Sequence, residues 1–87
     1  MDNAERIKQM TLLLEQHLSP ETLHISDDSH LHAGHAGAKS GKGHFTVTIK
    51  SAQFSGKRPI QCHQQVYAAL GQMMQTDIHA LSIQIPD

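Results

Sequence analysis

Residues 44–51 alternate apolar and polar side chains more clearly than any other part of the chain. The apolar members are Phe45, Val47 and Ile49, and threonine and lysine separate them. An extended backbone places alternate side chains on opposite faces, and β-branched residues favour that geometry. The segment is therefore predicted to be a strand with one apolar face, which other elements must cover. A chain of 87 residues can bury one modest core, so one domain is expected over residues 1–87.

Two segments with helical spacing of apolar residues can pack on the apolar face of this strand. The first runs over residues 3–17, and Ser19-Pro20 should end it because the residue before proline avoids helical geometry. Its apolar stripe consists of Ile7, Met10, Leu13, Leu14 and Leu18. The second begins at Pro59, since a first helical turn tolerates the missing N–H. Its predicted buried face consists of Ile60, Val66, Tyr67, Leu70 and Met73 or Met74. Gly71 should weaken the end of this helix or divide it into two.

Two more strands complete the predicted fold. They are residues 23–26 and 78–85, and the loop over residues 27–43 connects the first of them to the 44–51 strand. The first two strands can pair antiparallel, whereas a helix joins the second to the third and makes that pair parallel. The expected class is α+β: a three-stranded mixed sheet with helices on one face, in the order helix, strand, strand, helix (or two helices), strand.

The long loop contains three histidines within six residues: His30, His32 and His35. Imidazole is a common neutral ligand for zinc, copper and iron, and the neighbouring glycines let the backbone turn sharply. Two interpretations stay open from the residues alone. The loop is either a metal site, including a mononuclear zinc or copper site, or a solvated polar linker.

Other histidines lie on the predicted elements. His63 falls between Ile60 and Val66 on the apolar stripe of the second helix, so a packed, hydrogen-bonded histidine is the alternative to a ligand. His44 should face away from the core and line the loop. His79 should lie on the same side of the last strand as Leu81 and Ile83, in a structural role.

Charge and cysteine content narrow the function classes. The net charge is −1, which disfavours strong nonspecific binding to nucleic acid. A local basic stretch nevertheless contains Lys39, Lys42, Lys50, Lys57 and Arg58. One cysteine, Cys62, excludes an intrachain disulfide and suits a reducing cytoplasm. We expect no membrane span and no signal peptide.

Taken in chain order, these segments resemble the BolA family over essentially the whole length. The matching segments are SHLHAGHAG at 29–37, HFTVTI at 44–49, SAQFSGK at 51–57, CH at 62–63, VYAAL at 66–70 and IHALSI at 78–83. The loop is similar to that of the histidine-type members. The resemblance implies a fold like the second class of KH domains, for a single BolA-like domain over residues 1–87.

The resemblance also implies a function. It implies a non-enzymatic adaptor that shares a bridging [2Fe–2S] cluster with a monothiol, CGFS-type, glutathione-dependent glutaredoxin, with no cofactor held tightly by the free, monomeric protein. By that resemblance, His63 and a loop histidine are the ligands. His35 is preferred in the loop, and His32 and His30 are alternatives. Cys62 stays open as a competing ligand because it stands where the family usually has arginine. A DNA-binding transcriptional regulator is the alternative function, with weak DNA binding.

Overall fold

The computed structural model describes residues 2–29 and 41–86, and its elements follow the predicted order. They are α1 (Asn3–Leu18), β1 (Thr22–Asp27), β2 (Gly43–Lys50), a short 3₁₀ helix (Ala52–Phe54), α2 (Pro59–Leu70), α3 (Met73–Thr76) and β3 (Ile78–Gln84). The sheet order is β1-β2-β3, with β1 antiparallel and β3 parallel to the central strand. The predicted α+β class and the mixed sheet are confirmed. None of the helices in the described ranges has the length and apolarity needed to cross a bilayer.

Asp2 and Ser19 cap the two ends of helix α1. The Asp2 carboxylate accepts a hydrogen bond of 2.8 Å from the Glu5 N–H, which satisfies a backbone donor that the helix leaves free. At the other end Ser19 adopts a left-handed conformation with φ 43°, and its N–H donates to the Glu15 carbonyl. The predicted stop is therefore confirmed. The helix buries Met10, Leu14 and Leu18 against the sheet and α2.

The central strand β2 carries the core of the domain. Phe45 is 2% exposed, and Val47 and Ile49 are fully buried, as the alternation predicts. A Cβ atom at Gly43 would lie 2.4 Å from two atoms of the Phe45 ring and 2.9 Å from the Asn3 Oδ1. No side chain fits at that position, so the absence of one lets the aromatic ring close over the start of the strand.

The buried face of α2 differs from the prediction. Ile60 and Tyr67 are 64% and 40% exposed, so their assignment to the core is wrong. The helix buries Val66 and Leu70, as predicted, together with two small residues that were not predicted, Cys62 and Ala69. Small side chains let α2 approach its neighbours closely. A prediction based on large apolar residues does not include such positions. Gly71 ends α2, as predicted, and a separate short α3 follows.

Strand β3 contains an irregularity that changes which side its first residues face. Gly43 pairs with Ile78, whereas His44 pairs with Ala80, so His79 is one extra residue in the ladder. Ile78 is buried, and the residues that follow resume the alternation, with Leu81 and Ile83 partly buried. The prediction that His79 shares a side with Leu81 is therefore wrong, because a bulge reverses the side on which it falls.

The segment between β2 and α2 adds an unpredicted core residue. Its residues Ala52–Phe54 form a 3₁₀ helix, and Phe54 is 6% exposed. The Ser51 hydroxyl fixes this turn, since it donates to the Leu18 carbonyl at 2.6 Å and accepts from the Gln53 N–H at 3.1 Å. Phe54 thus joins the core cluster.

Candidate functional site

The histidine-rich loop joins the sheet at one end, which we call the loop end. Strand β1 finishes there at Asp27, and β2 and β3 begin there at Gly43 and Ile78. The three loop histidines lie within residues 30–40, outside the described residues. The structure therefore gives the two attachment points of the loop and the groups around them.

A network of hydrogen bonds holds these attachment points together. The Asn3 side-chain amide donates to Asp27 Oδ2 at 3.1 Å and to the Ser29 hydroxyl at 3.0 Å. The same hydroxyl accepts from the His44 backbone N–H at 3.1 Å. The Ser29 side chain, just after β1, is thereby bonded to the backbone of His44, the second residue of β2. Asn3, at the start of α1, is bonded to Asp27 and to Ser29 and so joins the helix to this end of the sheet.

An ion pair extends this network to the beginning of β3. Arg6 Nε lies 3.2 Å from Asp77 Oδ2, and the two side chains are 12% and 16% exposed. The Asp77 carbonyl accepts from the Gly43 N–H at 2.9 Å. A hydrogen bond from the Thr76 hydroxyl, aided by the Arg6 guanidinium, lowers the pKa of the Asp77 carboxyl although burial opposes that shift. The ion pair thus connects α1 to the turn that precedes His79.

The shifted pKa of Asp77 predicts a pH-dependent stability. A lowered pKa in the folded state means that the stabilisation is complete above the unfolded value of about 3.9 and is lost as the pH falls through the folded value. We expect Asp77→Asn to remove up to one proton from the slope of unfolding free energy against pH below about pH 4. Urea unfolding between pH 3 and pH 6 measures this. An unchanged slope in Asp77→Asn would contradict the assignment.

Two imidazoles meet beside this network. The rings of His44 and His79 have centroids 5.0 Å apart and planes tilted by 58°. His44 is 5% exposed, and His79 is exposed. Alternation correctly placed His44 on the face opposite Phe45, and the bulge brings His79 to the same face. The sequence analysis missed this pair. The available signal was Gly43, since glycine inside a strand often marks a bulge.

His63 occupies a different part of the molecule. It is half-buried at the fifth residue of α2 and lines a cleft of about 670 Å³ with Lys50 and Ile85. This cleft lies where β2 ends, at the opposite end of the sheet from the loop, and the eight residues of β2 separate the two ends by roughly 23 Å. The predicted ligand Cys62 is 3% exposed, and its Sγ lies 3.8 Å from the Phe54 carbonyl oxygen.

The structure therefore does not bring His63 close to the attachment points of the loop, and the pairing of His63 with His35, His32 or His30 stays a prediction. Within residues 2–29 and 41–86, no group of three or more histidine, cysteine, aspartate or glutamate side chains is arranged to hold a metal ion. The described part of the chain contributes at most two nearby imidazoles, those of His44 and His79. Any complete ligand set needs the loop or a partner.

Comparison with known proteins places this arrangement in a family. Protein BOLA1, chloroplastic, from Arabidopsis thaliana is 41% identical over 81 residues, which is 90% of this chain and 51% of that protein. The DNA-binding transcriptional regulator BolA of Escherichia coli (strain K12) is 33% identical over 79 residues, or 91% and 70% of the two chains. The chain spans about half the length of several curated relatives that it matches.

A solved structure shows the same fold. The BolA domain of SufE1 from Arabidopsis thaliana superposes with a TM-score of 0.81 at 33% identity, and the match covers 98% of this chain and 92% of that one. The family described as BolA-like protein matches residues 14–86, which includes all three strands, α2 and α3. The bulged histidine pair and the loop between β1 and β2 thus lie within the matched region, and the chain belongs to the family of BolA-like proteins.

Proposed function

We propose that this protein is a non-enzymatic adaptor that shares a [2Fe–2S] cluster with a monothiol, glutathione-dependent glutaredoxin, in cluster trafficking or in iron and stress regulation. The observation that carries the proposal is the His44–His79 pair at the sheet end where the histidine loop attaches. Imidazole can replace thiolate on one iron of such a cluster. Because the chain has one cysteine, a partner must supply the remaining thiolates.

The proposed ligands are one loop histidine and one histidine on a fixed element. In the loop we propose His35, with His32 and His30 as alternatives. Two fixed histidines compete, His63 and His79. His79 is exposed and lies at the loop end, whereas His63 lines the cleft at the far end of β2. A ligand pair must converge on a single iron, so the geometry favours His79 for the fixed position.

Mixing the protein with a cluster-loaded CGFS glutaredoxin tests the proposal. We expect a 1:1 complex in size-exclusion chromatography, with visible absorption and circular dichroism that differ from those of the glutaredoxin alone. A glutaredoxin whose CGFS cysteine is replaced by serine is the matched control and should give no coloured complex. A glutaredoxin spectrum that stays unchanged after mixing, with no co-elution, would refute the proposal.

A cytoplasmic location and a monomeric free state belong to the same proposal. The lone cysteine suits a reducing compartment, and it is buried in the structure. The Arabidopsis relative is named as chloroplastic, so the compartment needs its own measurement. Light scattering of the isolated protein at several concentrations, and imaging of a fluorescent fusion, address the two points.

DNA binding is the second candidate function, because the Escherichia coli relative is named as a DNA-binding transcriptional regulator. The structure divides the basic stretch seen in the sequence. Lys50 and Lys57 line the cleft at the far end of β2, and Arg58 follows directly as the N-cap of α2. Lys42 lies at the loop end, just before β2, and Lys39 is outside the described residues. Lys50, Lys57 and Arg58 are therefore the neighbouring cations that we propose would contact DNA phosphates.

We predict weak and salt-dependent DNA binding from this surface. Three phosphate contacts give a slope of log affinity against log salt of roughly −2.7. Fluorescence anisotropy with a short duplex, at salt concentrations from about 50 to about 200 mM, tests this. The double variant Lys57→Met with Arg58→Met should flatten the slope by about two phosphates, and Lys8→Met, on α1, should not. Tight DNA binding that is insensitive to salt would instead favour DNA binding over cluster sharing as the main function.

A further inference from the structure

The cleft at the far end of β2 contains several residues for which the proposed cluster function has no use. It has a volume of about 670 Å³ and lies between the start of α2, the 3₁₀ helix and the ends of β2 and β3. Small-molecule sites in proteins commonly have volumes of about 300–1,000 Å³ and combine apolar walls with a few polar groups. The lining of this cleft has that composition.

One wall of the cleft is apolar. Phe54 and Cys62 line it and are almost fully buried, and Ile85, which is half-buried, lines it from the strand β3 side. Pro59 completes this wall at the first position of α2 and exposes no backbone N–H there. A hydrocarbon group placed against these side chains would lose contact with water, which favours binding in proportion to the area covered.

The rim of the cleft is cationic. Two lysines, Lys50 and Lys57, and one glutamate, Glu21, line it, which leaves one net positive charge when the imidazole of His63 is neutral. Glu21 lies 3.8 Å from Lys50, and both side chains are about half exposed, so this pair holds the lysine only weakly. Within the described residues no carboxylate lies at ion-pair distance from Lys57.

We propose that this cleft binds a small amphipathic monocarboxylate. The carboxylate lies between Lys50 and Lys57, where one net positive charge matches one negative charge. The hydrocarbon part lies against Phe54 and Ile85. A doubly charged phosphate would leave one negative charge unmatched beside Glu21, which is why we choose a monocarboxylate. The proposed carboxylate site uses neither His79 nor the loop histidines, because the attachment points of the loop and the cleft lie at opposite ends of the sheet.

Titration of the ¹⁵N-labelled full chain with butanoate, hexanoate and octanoate, at neutral pH and below micelle formation, tests the proposal. We expect amide shifts confined to residues around the cleft, such as Ser51, Phe54 and Lys57. We expect the affinity to rise about fourfold for each added methylene that enters the cleft. Octanol and octylammonium are the matched neutral and cationic probes, and both should bind more weakly than octanoate.

Substitutions of Lys57 at the rim distinguish a loss of charge from a loss of folded structure. Lys57→Met should weaken octanoate binding roughly threefold to fivefold, and Lys57→Arg should retain it, since the exposed side chain contributes mainly its charge. Lys8→Met, on α1, should have no effect. An affinity that does not depend on chain length, equal binding of octanol, or shifts away from the cleft would overturn the proposal.

Discussion

Phe45→Ala should lower the free energy of unfolding by about 3–5 kcal/mol, the range for removing a fully buried aromatic ring. Phe45 is 2% exposed on the central strand, and its ring fills the space over Gly43 where a Cβ atom would lie 2.4 Å away. Removing the ring would leave a cavity among the buried residues of the core cluster, and such a cavity adds to the cost of the lost burial. Small domains are stable by only about 5–15 kcal/mol, so this one ring accounts for a large part of the total.

Urea unfolding followed by circular dichroism measures this change. Phe45→Leu is the matched control, because it keeps an apolar side chain and most of the volume, and it should cost less than about 1.5 kcal/mol. If Phe45→Ala is too unstable to purify, the leucine variant still gives a midpoint. A midpoint that Phe45→Ala leaves unchanged would contradict the position of this residue in the core.

The sequence predicts the elements of this fold better than it predicts their faces. Alternation in β2 and helical spacing in α1 identify both elements, because each buries one regular face. In α2 the buried face depends on Cys62 and Ala69, two small residues that pack closely. Ile60 is strongly apolar, yet it lies in the first turn of α2 and is 64% exposed. Hydrophobicity alone does not show which residues of a helix its neighbours cover.

In the candidate site, too, the sequence indicates individual residues but does not show which of them lie close together. The loop histidines and His63 are visible in the sequence as isolated signals, but their distance apart depends on which end of the sheet each one occupies. His79 looked structural because strict alternation placed it beside Leu81. One extra residue opposite Gly43 moves it to the face that carries His44. A shift of one residue reverses the face of a strand, and a single sequence gives only weak warning of it.

The bulge leads to the prediction with the largest functional effect. If His79 is the fixed ligand, His79→Ala should abolish the visible circular dichroism of the mixed complex with a cluster-loaded glutaredoxin. His63→Ala should leave that signal in place, because His63 lies in the cleft at the far end of β2. His79→Cys should restore a cluster with a shifted spectrum, since thiolate also ligates iron. This rescue separates loss of a ligand from loss of the fold.

The loop position should behave differently from the fixed one. His35→Ala should reduce the signal only in part, because His32 lies three residues away in the same glycine-rich segment and can replace it. The double variant His32→Ala with His35→Ala should approach the loss seen for His79→Ala. His17→Ala, at an exposed position near the end of α1, is the matched histidine control and should have no effect. Abolition of the signal by His63→Ala, with a normal signal in His79→Ala, would return the fixed ligand to α2. That outcome would require the loop to reach across roughly 23 Å of sheet.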